Sequence, residues 1–249
     1  MGLTIHYSLR AKGTGAQARK LITALHQAAQ DLPFKEIGDI VDLSGSDCDF
    51  DRRNREDPLR WLLCHAQGSL QIKDTYMRVN PTQLLAFTAW PGDGCEQSNI
   101  GLCQYPAEIF SSQGGPLKTR LSGWHWRSFC KTQYASNPDC GGIANFLRCH
   151  LAVIALLDKA KELGCLHEVR DEAQFWESRD LEALVEQIGS WNQMMAAFGG
   201  ALKDVLGDGV ETAITEFPNF EQLEAAGQNQ LPPEIEKLAK LIRQVVKIS

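Results

Sequence analysis

The spacing of apolar residues changes once along the chain, and this change most restricts the possible folds. From Leu70 to about Tyr134, short segments with strand-like patterns are separated by turn sequences such as "NPTQ", "PGDGCEQS" and "SSQGGP". From Ile143 onward, apolar residues recur at helical spacing instead. Strands early in the chain and helices late in it predict an α+β protein.

The beginning of the chain predicts a strand, a helix and a second strand. The segment "LTIHYSLR" alternates like a strand, and "AKGTGAQARKLITALHQAAQ" has helical spacing, with Thr14 and Gln17 as a capping box. A second strand is predicted in "FKEIGDIVDL". This order is typical of a ferredoxin-like βαβ opening. We therefore expect an antiparallel or mixed sheet with helices packed mainly on one face.

An acidic segment divides the C-terminal part of the chain. Residues 1–206 are predicted to form a single α+β domain. Residues 207–231 predict an acidic linker, because they contain five carboxylates and no Lys or Arg. Residues 232–249 begin with two prolines and predict an amphipathic C-terminal helix. One hypothesis is that the linker covers the basic and aromatic residues of strand 118–134 until a partner competes.

Composition and charge exclude several classes of protein. The net charge of −6 disfavours a protein whose whole surface holds nucleic acid. No apolar run approaches the length of a membrane span, and no secretory signal pattern is visible, so a soluble cytoplasmic protein without membrane contact is expected. The eight cysteines form no CxxC pair, which gives no signal for a zinc site or a thioredoxin-like dithiol.

Two short motifs are better explained by structure than by a ligand. The glycine loop "KGTG" lacks the third glycine of a dinucleotide fingerprint and the ending of a P-loop, which favours a turn with a capping box. Asp47, Asp49 and Asp51 would point one way in an extended segment and could hold Mg²⁺ or Ca²⁺. Arg52 and Pro58 occupy the positions where a calcium loop needs glycine and an acid, so a solvated loop is favoured and no metal site is predicted.

The stretch "GWHWRSFCKTQYAS" contains the strongest candidate residues for a site. Strand alternation places Trp124, Trp126, Ser128 and Cys130 on one side and His125, Arg127, Phe129 and Lys131 on the other. One hypothesis is a cysteine-dependent hydrolase or transferase. It would use Cys130 as nucleophile, His150 or His125 as base, and Glu96 or Asn99 as the orienting group. No cysteine-enzyme signature is present, so the residues leave open whether the chain is an enzyme.

The same stretch also suggests binding. Lys118, Arg120, Arg127 and Lys131 alternate with aromatic residues and no acid, a pattern that suits single-stranded nucleic acid or a protein surface. The competing interpretation is that Trp124 and Trp126 fill the core. We expect a non-catalytic binding or regulatory module without a cofactor, which recognises a protein or small ligand through its sheet face and the loops around Glu96 and Cys130. The predicted binding residues are Trp124, Trp126, Arg127, Lys131, Tyr134 and Asn99.

Several segments resemble parts of uncharacterised bacterial proteins of similar length. These segments are "CDFD", "WPGDGCE", "GWHWRSFCKTQYASNP", "FLRCH" and "FWESRDLEALV". The resemblance runs over most of the chain and implies a bacterial, cytosolic, single-chain protein. It implies no function, and no catalytic residue is carried over from it.

Overall fold

The computed structural model describes residues 3–72, 75–110, 115–206 and 212–227. Within these ranges the chain forms a seven-stranded sheet, two small two-stranded sheets and six α-helices. The strands are β1 (Thr4–Ala11), β2 (Glu36–Ile37), β3 (Val41–Ser44), β4 (Gly68–Ile72), β5 (Thr75–Val79), β6 (Gln83–Trp90), β7 (Ser98–Gln104), β8 (Glu108–Phe110), β9 (Pro116–Lys118), β10 (Trp124–Lys131) and β11 (Leu166–Asp171). The helices are α1 (Gly15–Gln30), α2 (Arg60–Ala66), α3 (Gly142–Glu162), α4 (Phe175–Ser178), α5 (Leu181–Leu206) and α6 (Phe220–Gly227).

The main sheet is antiparallel, and β1 lies inside it next to the edge strand β11. Its strand order is β11-β1-β10-β7-β6-β2, and β3 also pairs with β6. The predicted α+β class with an antiparallel sheet is confirmed. The ferredoxin-like opening is not confirmed, because β10, β7 and β6 lie between β1 and β2 in the sheet.

The first helix begins and packs as its sequence predicts. The amide of Gln17 donates to the Thr14 hydroxyl at 3.4 Å, and the amide of Thr14 donates to the Gln17 side chain at 2.8 Å, so the capping box is present. The buried residues of α1, which include Ile22 and Leu25, recur at helical spacing and face the core. This local pattern was sufficient to predict the helix.

Two hairpins were not predicted. In the segment "LQIKDTYMRV", β4 and β5 pair antiparallel, with Leu70 opposite Met77. The apolar and polar alternation continues through both strands, so it carries no sign of the chain reversal. The pairing of β8 with β9 was also missed, since both strands have only three residues.

Helices lie on both faces of the sheet. The ring of Phe87 in β6 meets the ring of His26 in α1 edge-on, with centroids 5.0 Å apart. Just beyond β7, the hydroxyl of Tyr105 donates to the carbonyl of Ala66 in α2 at 2.8 Å. Because residues alternate across a sheet and the register sets the two strands side by side, α1 and α2 cover opposite faces. The long helix α3 packs beside α1.

The C-terminal segments are described in part. Residues 212–227 of the predicted acidic linker form turns and α6, which packs against α5. Phe217 is buried there beside Ala196 and Ile214. The predicted helix 232–249 lies outside the described residues.

A buried ionic chain ties the sheet to α3. His150 and Asp171 have fully buried side chains, and the Nε2 of His150 lies 3.2 Å from the Asp171 Oδ2. The other ring nitrogen of His150 lies 2.9 Å from the Thr132 hydroxyl. The carboxylate of Asp171 also accepts the amides of Ala173 at 2.9 Å and Trp176 at 3.0 Å. This chain therefore joins the ends of β10 and β11 to α3 and α4.

We expect Asp171→Asn to lower the free energy of unfolding at pH 7 by about 3 kcal/mol, because it removes one partner of a buried ion pair. Asp158→Asn is the matched control. Asp158 pairs with Arg179 on the surface, where such pairs contribute less than about 1 kcal/mol. Urea unfolding followed by circular dichroism measures both changes, and similar losses in the two variants would contradict the role of the buried chain.

The same pair predicts the direction of the pH dependence. Burial by itself raises the pKa of Asp171, but its hydrogen bond with His150, the charge of His150 and the two amides hold that pKa below the ordinary 3.8. A lowered folded-state pKa stabilises the protein above pH 3.8, and this contribution is lost as the pH falls through the folded-state value. The stability difference between the wild type and Asp171→Asn should therefore shrink in acid.

Candidate functional site

Strands β7 and β10 are paired at one end and bridged by side chains at the other. The ladder between them starts at Trp124 opposite Gln104 and continues for one further residue pair. Farther along, the indole N–H of Trp126 and the hydroxyl of Tyr7 each donate to the carbonyl of Asn99 at 2.8 Å. Side-chain N–H and O–H groups thus replace the backbone amides of β10 as donors to this part of β7. The ladder between the two strands stops there, which leaves an opening in the sheet surface beside β10.

A groove of about 770 Å³ lies at this opening, between the sheet and α2 with the β4-β5 hairpin. Its lining carries histidines and arginines from five separate parts of the chain, namely His6, Arg10, His65, Arg78, His125, Arg127 and Arg170. Among the lining residues, which all belong to the described ranges, Glu168 is the one carboxylate. The groove is therefore basic although the whole chain is acidic.

The sheet register brings the arginines of the groove close together. Ser8 in β1 lies opposite Arg127 of β10, and the neighbouring outward residue, His6, lies opposite Arg170 of β11. Arg10 follows on the same side of β1. No described residue forms an ion pair or a side-chain hydrogen bond with Arg10, Arg127 or Arg170. Their charges are thus available to an anion.

The groove also holds a polar atom without a partner. Ser8 is 7 % exposed, and its buried hydroxyl has no hydrogen-bond partner among the described residues. A buried hydroxyl left in this state costs about 1–3 kcal/mol, so a bound acceptor that reached it would recover that energy.

Aromatic rings form one wall of the groove. Phe129 is 39 % exposed, and its ring centroid lies 5.2 Å from that of His65 and 5.8 Å from that of His6. The Nδ1 of His65 lies 2.8 Å from the Ser128 hydroxyl. Burial lowers the pKa of His65, so its ring is neutral at pH 7 and suits contact with a flat ligand surface.

The predicted catalytic residues do not form one hydrogen-bonded group among the described residues. Cys130 is fully buried, and its thiol donates to the carbonyl of Glu96 at 3.2 Å. Burial, with Glu96 and Cys149 nearby, raises the pKa of the Cys130 thiol well above its ordinary value. His150 bonds to Thr132 and Asp171 through its two ring nitrogens. Cys130 and Glu96 therefore meet, but the geometry gives no support to a dyad with His150.

The predicted binding residues lie in three places. Arg127 and Trp126 line the groove, while Lys131 and Tyr134 line a second cavity of about 380 Å³. Trp124 and Asn99 are buried, at 1 % and 3 % exposure. His125, the alternative base, also lines the groove, and its Nε2 lies 2.6 Å from the Ser122 carbonyl.

The described part of the acidic segment, residues 212–227, reaches the second cavity. Glu216 and Phe217 line this cavity together with Glu96, Lys131 and Tyr134. The ammonium of Lys131 lies 4.5 Å from the centre of the Tyr134 ring. The segment therefore contacts the chain just after β10, whereas the hypothesis placed it over the whole basic strand.

Sequence reasoning missed most of the groove. His6, Arg10, His65, Arg78 and Arg170 were not among the candidates, because they lie far from "GWHWRSFCKTQYAS" in the chain. The alternation in "IHYSLR" does place His6, Ser8 and Arg10 on one face, and this was the available signal. Their neighbours on β10 and β11 depend on strand order, which alternation does not reveal.

Comparisons with protein-family models, with curated proteins and with solved structures find no match. Within the described ranges, no group of three or more His, Cys, Asp or Glu side chains is arranged to hold a metal ion. None of the helices in those ranges has both the length and the apolar character that crossing a bilayer requires.

We expect iodoacetamide to alkylate Cys64 at least about tenfold faster than Cys130 in the native protein, because Cys64 is exposed and Cys130 is fully buried. Site-resolved mass spectrometry over a time course measures both rates, and labelling in denaturing urea is the control in which the two rates should converge. A native rate at Cys130 equal to that at Cys64 would contradict the buried thiol and revive the cysteine-enzyme hypothesis.

Proposed function

We propose that the protein is a non-catalytic binding module whose basic groove holds a small phosphorylated ligand. The convergence of Arg10, Arg78, Arg127 and Arg170 on one concave surface is the observation that supports this proposal. Guanidinium groups match phosphate oxygens in charge and geometry, and unpaired arginines need not first give up an existing partner.

The size and chemistry of the groove favour a ligand that also carries a flat ring. A volume of about 770 Å³ is within the usual range of small-molecule sites. Phe129, His65 and Tyr105 offer ring surfaces, and the Ser8 hydroxyl offers a further polar contact. A nucleoside phosphate combines these features, with its phosphates on the arginines and its base on the aromatic wall.

Two competing functions have weaker support. A cysteine-dependent enzyme would need Cys130 to be accessible, and this thiol is buried. Single-stranded nucleic acid would stack successive bases on several exposed rings of strand β10, and of its aromatic residues Trp124 and Trp126 are buried, which leaves Phe129. The eight free cysteines support a reducing, cytoplasmic location as part of the same proposal.

Titration calorimetry with ATP, adenosine, inorganic triphosphate and an oligothymidylate tests the proposal. We expect ATP to bind more tightly than adenosine, and Arg127→Ala and Arg170→Ala each to weaken ATP binding about tenfold or more, because each removes charged hydrogen bonds to phosphate. Arg19→Ala is the matched control, since Arg19 lies on α1 at the opposite face and pairs with Asp42.

The outcomes separate the competing ligands. Equal loss of ATP binding in Arg127→Ala and Arg19→Ala would place the site outside the groove. Binding of the oligonucleotide alone, with affinity falling steeply with salt, would replace the small ligand by nucleic acid. No binding of any phosphate-bearing probe would reject the proposal.

A further inference from the structure

One row of residues crosses the sheet side of the basic groove over three neighbouring strands. Ser8 of β1 lies opposite Arg127 of β10 on one side and opposite Glu168 of β11 on the other. Directly opposite residues of antiparallel strands point to the same face of the sheet, and all three residues line the groove. Because neighbouring strands are about 4.8 Å apart, Ser8 has a cation on one side and a carboxylate on the other at short range.

Glu168 has no charge partner among the residues that the structure describes. Arg170 lies two positions farther along β11 on the same side of the strand, yet none of the ion pairs in the described ranges includes Glu168. Pairing with an arginine therefore does not explain why a carboxylate lines this groove. A carboxylate also repels phosphate, so we expect it to contact a different part of the ligand.

Ser8 supplies a second, independent observation. Its side chain is more than nine-tenths buried, and its hydroxyl has no hydrogen-bond partner among the described residues. A serine hydroxyl can donate one hydrogen bond, whereas an ionised carboxylate can only accept. A ligand hydroxyl between the two residues would satisfy both, because it would accept the proton of Ser8 and donate its own to Glu168. A second hydroxyl on the adjacent ligand carbon would donate to the other carboxylate oxygen.

A ribose carries such a pair of adjacent hydroxyls. In a nucleoside phosphate the sugar connects the base to the phosphates. Phe129 lies opposite His6, and Arg127 lies opposite Ser8, so the aromatic wall and the nearest arginine are neighbours on the same side of β10. A base on Phe129 and phosphates on Arg127 therefore leave the sugar over β1, with its hydroxyls toward Glu168 of β11.

We propose that Glu168 and Ser8 bind the 2′- and 3′-hydroxyls of a ribose, so that the groove selects ribonucleoside phosphates over their deoxy counterparts. The proposal rests on the proposed function of the groove and adds the residues that recognise the sugar. A carboxylate that accepts from a ribose hydroxyl is an established way for a protein to read this sugar, and the 2′-hydroxyl distinguishes it from deoxyribose.

Titration calorimetry with ATP, 2′-deoxy-ATP and inorganic triphosphate tests the sugar site. We expect the wild type to bind ATP about tenfold more tightly than 2′-deoxy-ATP, because the deoxy sugar lacks one hydrogen bond to a charged group. In Glu168→Ala the two nucleotides should bind equally, while inorganic triphosphate should bind at least as tightly as before, since a negative charge is lost. Glu36→Ala is the matched control, because Glu36 is an exposed carboxylate on the other edge strand, β2, and this variant should keep the preference.

Ser8→Ala separates binding of the sugar from a structural role. We expect the variant without ligand to melt at a higher temperature, because an unpartnered buried hydroxyl is removed, and to bind ATP about threefold or more weakly. Equal affinity of the wild type for ATP and 2′-deoxy-ATP, with Arg127→Ala still weakening both, would overturn the sugar site and leave the phosphate site in place. Weaker binding of inorganic triphosphate in Glu168→Ala would also overturn the sugar site. No binding of any of the three probes would overturn both proposals.

Discussion

The ionic chain of Thr132, His150 and Asp171 is the interaction on which the rest of the fold depends. A charge without water must be paired and hydrogen-bonded, and both oxygens of Asp171 have donors. These donors come from α3, from α4 and from the turn between β11 and α4, so the pairing fixes where α3 crosses the sheet. Once α3 is placed, Cys149 reaches the loop after β6, and the buried side of β10 is closed.

The opposite side of β10 stays open because its backbone pairing with β7 covers only part of the strand. The bridge from Trp126 and Tyr7 to the Asn99 carbonyl replaces part of the ladder between β7 and β10. Gly101 makes room for this arrangement, because a side-chain carbon there would lie 2.9 Å from the Trp126 ring. One strand therefore serves two environments: its tryptophans complete the core, and Arg127 and Phe129 face the basic groove.

The sequence predicted the individual helices and strands better than it predicted which strands lie side by side. The alternation of β10 placed Trp126 and Cys130 on the buried side correctly, because side-chain direction in a strand is a local property. The order of strands is not local, so neither the three strands between β1 and β2 nor the pairing of Arg170 with His6 was visible.

The interior position of β1 has a consequence for synthesis of the protein. Thr4 pairs with Lys131, and Ile5 pairs with Asp171, so both neighbours of this early strand are made much later. While the ribosome is still adding residues before β10, β1 has no hydrogen-bonded neighbouring strand. During that time α1 has only an incomplete sheet to cover. Contacts of such long sequence separation form slowly and leave strand edges exposed in the meantime. The nascent chain should therefore complete its sheet only after β11 has emerged.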